Sequence, residues 1–259
     1  MTPRSVINTA VVLTILALAI APAVSQADCT TPLGAPHQGA GKFPTPGNMI
    51  YGMSASISYG NPALGCLNKY DSFTDEWVMV VGPGPEEWLQ FGWERNSSYQ
   101  TVHLWYQYHH QGADPVDVPI YYEPATTHEY KVMSIRDNQT GIISWRLVDN
   151  GLVRLQLTAT DMGWTQPTNG ATQGQWSAEV AYGESEMGGL LPNLVTFDNL
   201  TYQEGSPATN WQQAVPSWTF DSFVPRYGGD TTEVGYFVWQ SRNWTWPYQN
   251  YLPLLENNP

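Results

Sequence analysis

Short runs of aromatic and β-branched residues, each closed by Gly, Pro or Asn, recur along this chain from Glu76 onward, and no stretch keeps a capped 3.6-residue apolar repeat. That punctuation favours strands over long helices, because a strand needs only about four to eight residues before it turns. Glu76–Val81, Trp88–Glu94, Thr101–His109, Glu129–Arg136, Gly141–Leu147, Val153–Ala159, Gln175–Tyr182, Leu194–Tyr202, Trp218–Phe223 and Val234–Gln240 read as strands. Gly82-Pro83-Gly84-Pro85, Asp137-Asn138, Asp149-Asn150-Gly151, Asn169-Gly170 and Gly188-Gly189 read as the breaks between them. Asn150-Gly151 is the sharpest hairpin signal, since a two-residue I′ turn needs positive φ at both central positions. Many short strands at this spacing predict an all-β, antiparallel β-sandwich.

The first residues carry one charge, Arg4, then an apolar run from Ala10 to Ala23 and small residues ending at Ala27. This reads as a secretory signal peptide over residues 1–27, too short and wrongly flanked for a membrane anchor, so the mature chain is expected to be secreted and free of the membrane. Residues 28–60, rich in Pro and Gly, read as an N-terminal arm or propeptide, and residues 61–259 as the sandwich domain with an aromatic C-terminal extension. Loss of Arg4 takes the formal charge from −13 to −14. No basic patch remains to displace counterions from phosphates, which excludes nucleic acid as a partner.

Alternate side chains of a strand share a face. Trp88, Gln90, Gly92 and Glu94 then lie opposite Leu89, Phe91 and Trp93; His103, Trp105, Gln107 and His109 lie opposite Leu104, Tyr106 and Tyr108; Gln175, Ser177 and Glu179 lie opposite Trp176, Ala178 and Val180. Three strands thus each present one apolar face and one polar face carrying Trp. Side by side in a curved sheet, the second faces make a Trp-lined groove suited to an extended polymer. Gln90 and Glu179 are the candidate catalytic pair: a carboxylate can deprotonate water while an amide donor stabilises the developing oxyanion. That chemistry needs no metal and no cofactor. His103, His109, His110 and His128 show no metal-ligand spacing, and no Gly-x-Ser-x-Gly elbow is present.

Leu89-Gln90-Phe91-Gly92-Trp93-Glu94 resembles the Leu-Gln-x-Gly segment of the eqolisin (fungal glutamic peptidase) family, with its acidic residue four positions after the Gln. Leu104-Trp105-Tyr106-Gln107-Tyr108 is similar to that family's Ala-Trp-Tyr-Glu-Trp stretch, and Ser177-Ala178-Glu179-Val180, followed by Val195-Thr196-Phe197, to its Ala-Glu-Trp-Ile segment and the Val-Thr-Phe strand beyond. The resemblance covers roughly Trp77 to Tyr202. It implies a concanavalin-like jelly roll and a secreted acid endopeptidase acting on polypeptides, with Gln90 as oxyanion donor and Glu179 as general base. Trp88, Glu94, His103, Trp105 and Gln107 would then contact substrate. Gln107 stands where the family has Glu, His103 stands near a position usually acidic, and the tail from Trp211 has no counterpart. Glu76-Trp77-Val78-Met79-Val80-Val81-Gly82-Pro83 more distantly resembles neprosin-type glutamic peptidases, which place Glu where Gln90 stands.

The competing reading is a non-catalytic, concanavalin-like carbohydrate-binding module taking polysaccharide. His128-Glu129-Tyr130-Lys131-Val132, Asp149-Asn150-Gly151 and Phe197-Asp198-Asn199-Leu200 resemble laminin-G and lectin hairpins, and exposed Trp and Tyr can stack on sugars.

Cys29 and Cys66 are the only cysteines. An isolated pair in an exported chain predicts one structural disulfide. A thiol assay on denatured, unreduced mature protein should find no free thiol; two would refute the bond.

Overall fold

The period-two alternation forces each strand to choose a face, and the chain satisfies it by stacking two sheets. The computed structural model describes residues 37–58, 64, 73–98, 101–120, 127–180, 189–190, 195–221, 227–231 and 235–240. The signal-peptide segment, Cys29, Cys66 and everything after Gln240 lie outside the described residues.

In spatial order the first sheet runs β14 (Trp218–Asp221), β1 (His37–Lys42), β10 (Gln173–Val180), β3 (Phe73–Val81), β4 (Trp88–Asn96), β5 (His103–His109) and β6 (Val116–Ile120). The second runs β11 (Gly189–Leu190), β16 (Gly235–Gln240), β12 (Val195–Glu204), β2 (Ile50–Ser58), β7 (Thr127–Arg136), β8 (Ile143–Asp149) and β9 (Leu152–Thr158), with β13 (Gln212–Gln213) beside β12 and β15 (Tyr227–Thr231) beside β16. Pairing is antiparallel except for the two-residue contact of β11 with β16. No helix occurs among the described residues. The fold is the all-β sandwich expected from the sequence.

Phe91 and Trp93 of the first sheet and Tyr130, Trp145, Met53 and Ile57 of the second fill the space between, all at most 1% exposed. Phe91 meets Tyr130 edge-on at 5.5 Å, and the Trp176 indole N–H donates to the Ser54 carbonyl at 2.9 Å, joining the sheets by a satisfied buried donor. Each such aromatic side chain contributes about 2–3 kcal/mol by leaving water.

The β8–β9 hairpin turns on Asn150 (φ 47°) and Gly151 (φ 80°), the I′ geometry that Asn-Gly favours. Residues 28–60, read from sequence as an arm or propeptide, supply β1 and β2, and β2 sits centrally between β12 and β7 with Ile50, Met53, Ala55 and Ile57 buried. Its Gly, Ser and Ala content gives little β-propensity, and burial makes it a strand. The strand β6 also escapes the sequence pattern, because Pro119 argues against one; as the outermost strand of its sheet it has no neighbour needing that missing N–H.

Gly92 is where β3 and β4 come closest: a Cβ there would overlap the Glu76 carbonyl oxygen. Backbone cannot step aside as a side chain can. Gly92→Ala should therefore destabilise the fold by about 3 kcal/mol, read as a lower urea midpoint; an unchanged midpoint would show that the two strands are further apart.

Candidate active site

Paired residues on antiparallel strands point to the same face, so register can be followed across the first sheet as rows. One row is Glu179, Asp75, Glu94 and His103, on β10, β3, β4 and β5. Two residues along lies Ser177, Trp77, Gly92 and Trp105, and two further lies Gln175, Met79, Gln90, Gln107 and Asp117, the last on β6. The intervening residues Val78, Val80, Leu89, Phe91 and Trp93 belong to the core, so these rows form the opposite face. Trp77, Met79 and Trp105 make a second apolar cluster there, joined by Val81 and Trp88.

Above the rows is a cleft of about 420 Å³ whose lining includes Gln90, Glu179, Trp77, Gln107, Gln175 and Trp218. Gln90 and Glu179 are two strands and four residues apart in register. On a flat sheet that offset would separate their Cα atoms by about 16 Å, so only side chains reaching over the face bring both to the same cleft. A parallel diagonal runs through Trp105, whose indole N–H donates to Asp117 one strand over and two residues along. Asp117 and Glu94 complete that diagonal and interact electrostatically across it. Gln90, Trp77 and Glu179 form the parallel line, shifted by two strands. Between the two lines lies Gly92, in register with Trp77 on one side and Trp105 on the other.

The Gln90 side-chain N–H donates to the Gln107 side-chain oxygen at 3.0 Å, which fixes the amide's orientation and leaves its second N–H uncommitted by that bond. Trp218 reaches the cleft from β14 by lying over Gly41, where a Cβ would collide with its ring. Trp88 stacks on the His109 ring at 5.6 Å and 21°. Both His109 nitrogens meet backbone carbonyls, of Glu86 at 2.5 Å and Ala113 at 2.8 Å.

Burial raises the proton affinity of four carboxyls of the first sheet. Glu94 is pushed up to about 8 by desolvation and then by the Asp117 charge, against a hydrogen bond from Asn96 at 2.9 Å. Asp75 is raised well above the carboxylate range by desolvation and then by Glu179 and Glu94. Glu76, on the core side of β3, is raised by burial, with the Trp93 indole opposing. Asp117 is raised by burial, with Trp105 opposing.

Of the residues predicted from sequence to touch substrate, Trp88 and Gln107 line the cleft. Glu94, His103 and Trp105 are 5%, 3% and 1% exposed and are absent from its lining. The sheet packs them against one another: Glu94 is in register with His103, and Trp105 is held by Asp117. Gln175, set on the groove face by strand parity, also lines the cleft, whereas sequence reasoning missed Asp75, Trp77, Met79 and Trp218. Starting β3 at Phe73 rather than Glu76 and applying the same parity would have found Asp75, Trp77 and Met79. Trp218 carried no signal, because a crossover brings β14 to the sheet through β1.

No protein-family model and no curated protein matches the chain. Among solved structures it is similar to scytalido-glutamic peptidase with a peptide-based transition-state analogue, at TM-score 0.52 and 13% identity over 82% of this chain and 100% of that one. A second structure of scytalido-glutamic peptidase with a transition-state analogue inhibitor gives TM-score 0.51 and 12% identity over the same shares. The likeness is one of fold.

Groups whose folded proton affinity is raised add stability that is complete below the unfolded carboxyl range, near pH 4, and is lost as pH rises through their folded values, about 8 for Glu94. Each tenfold gain in affinity corresponds to about 1.4 kcal/mol. The urea midpoint should fall between pH 4 and pH 8, and Glu94→Gln should flatten that fall. A midpoint that climbs over this interval would contradict the burial of these acids.

Proposed function

We propose that this chain is a secreted acid endopeptidase that hydrolyses peptide bonds with Glu179 as general base and Gln90 as oxyanion donor. The observation that carries the reading is that both side chains line one cleft on one face of the first sheet, beside a Gln90 amide oriented by Gln107. An extended peptide crossing the cleft would present its carbonyl oxygen to the Gln90 N–H. The Glu179 carboxylate takes a proton from water, the water oxygen bonds to the carbonyl carbon, and the carbonyl π electrons move onto oxygen. As the C–N bond breaks, the proton held by Glu179 passes to the leaving amine. Trp77, Trp88 and Trp218 supply apolar surface for side chains on either side of the scissile bond. The Trp77 indole N–H is buried with no hydrogen-bond acceptor among the described residues.

Purified mature protein should cleave unfolded casein at acidic pH, and Glu179→Gln, which keeps volume and removes the basic group, should abolish turnover while leaving the urea midpoint unchanged. Gln90→Glu should lower kcat about 100-fold, the usual cost of one oxyanion donor. Equal casein cleavage before and after Glu179→Gln would remove Glu179 from the base role. Retention of glycans with no casein cleavage at any pH would favour a carbohydrate-binding module instead.

A further inference from the structure

Glu179 is paired in register with Asp75, and Asp75 in turn with Glu94, so three carboxyl groups stand side by side on three adjacent strands and point to the same face. Asp75 occupies the middle. It is 2% exposed, and its Oδ1 has no hydrogen-bond partner among the described residues. Facing it are Glu179 from β10 and Glu94 from β4; Glu76 adjoins it on β3, and Asp117 acts from β6. His103 stands beyond Glu94 in the same row, and His37 of β1 is in register with Glu179 at its other end. No Lys or Arg occurs at any position of the three rows described.

A buried carboxylate between two others would have neither solvent nor a cation to stabilise it. A carboxylic acid there needs neither. We propose that Asp75 is a positioning residue that holds one proton against Glu179, so that the pair carries a single negative charge and that charge resides on the base. The inference rests on the reading of Glu179 as the base and supplies what that reading lacks. A carboxylate base alone does not explain why activity should fall toward neutral pH, because raising pH does not by itself remove a base. Ionising Asp75 would set a second anion beside the base and near the developing oxyanion, repelling both. Asp75 keeps its proton throughout turnover; the proton moved in catalysis travels from water to Glu179 to the leaving amine.

The test follows the pH profile of kcat/KM on casein for native protein and Asp75→Asn. Asn is neutral at every pH, so the neutral limb should move upward by about one pH unit or more, the coupling expected of adjacent carboxyls, while the acid limb stays in place. A uniform loss of rate with both limbs fixed would overturn the proposal and mark Asp75 as structural. Infrared titration of the protonated-carboxyl band supplies a readout free of activity and of any change at Asp75. In Glu179→Gln one buried carboxyl should lose its proton at lower pH than in native protein, because its charged neighbour is gone. Identical titration with and without Glu179 would overturn the proposal. Native protein that cleaves nothing would sink the peptidase reading instead, leaving the infrared comparison to decide the pair.

Discussion

The cleft depends on β3 being paired on both sides, with β10 along one edge and β4 along the other. A one-residue slip in either register would turn every side chain of the shifted strand to the opposite face. Glu179 or Gln90 would then enter the core, and Val180 or Phe91 would face the cleft. The core sets the facing: Val78, Val80, Phe91, Trp93, Trp176 and Ala178 are all fully buried in one layer, and a one-residue slip of any of their strands would take that strand's share of them out of it. Gly92 adds a local constraint, since only a residue without a side chain fits where β3 and β4 approach.

The same sheet bears apolar clusters on both faces, which is unusual for an antiparallel sheet with one side toward water. The cleft-side cluster of Trp77, Met79 and Trp105 gives the groove a low-polarity floor. Low polarity around carboxyl groups is costly when they are charged and tolerable when they are neutral. That accounts for the raised proton affinities of Asp75, Glu94 and Asp117.

The second sheet solves a similar problem differently. His128 and Asp149, 1% and 0% exposed, share a hydrogen bond of 2.6 Å, and Arg154 donates to the other Asp149 oxygen at 2.8 Å. Two basic groups around one carboxylate satisfy it where it lies, next to the β8–β9 turn. In the first sheet Asp75 has a carboxyl group on each side and no Lys or Arg in its row, and we propose that protonation takes the place of a cation there.

The sequence by itself determined the fold class, most strand positions, the β8–β9 hairpin and the face on which Gln90, Gln107 and Glu179 lie. These depend on side-chain periodicity and turn chemistry, which act over a few neighbouring residues. It did not reveal β2, whose small residues become a strand only between β12 and β7, nor β6, whose Pro119 is tolerated only at an edge. Which residues reach the open cleft was decided by tertiary structure alone. Trp105, Glu94 and His103 share parity with Gln90 but are buried by their neighbours, whereas Trp218, distant in sequence, arrives through β1. Asp75 stands between Glu179 and Glu94 because three separate stretches of chain align in register. Contacts of that kind arise from long-range pairing and packing, which no local pattern of residues encodes.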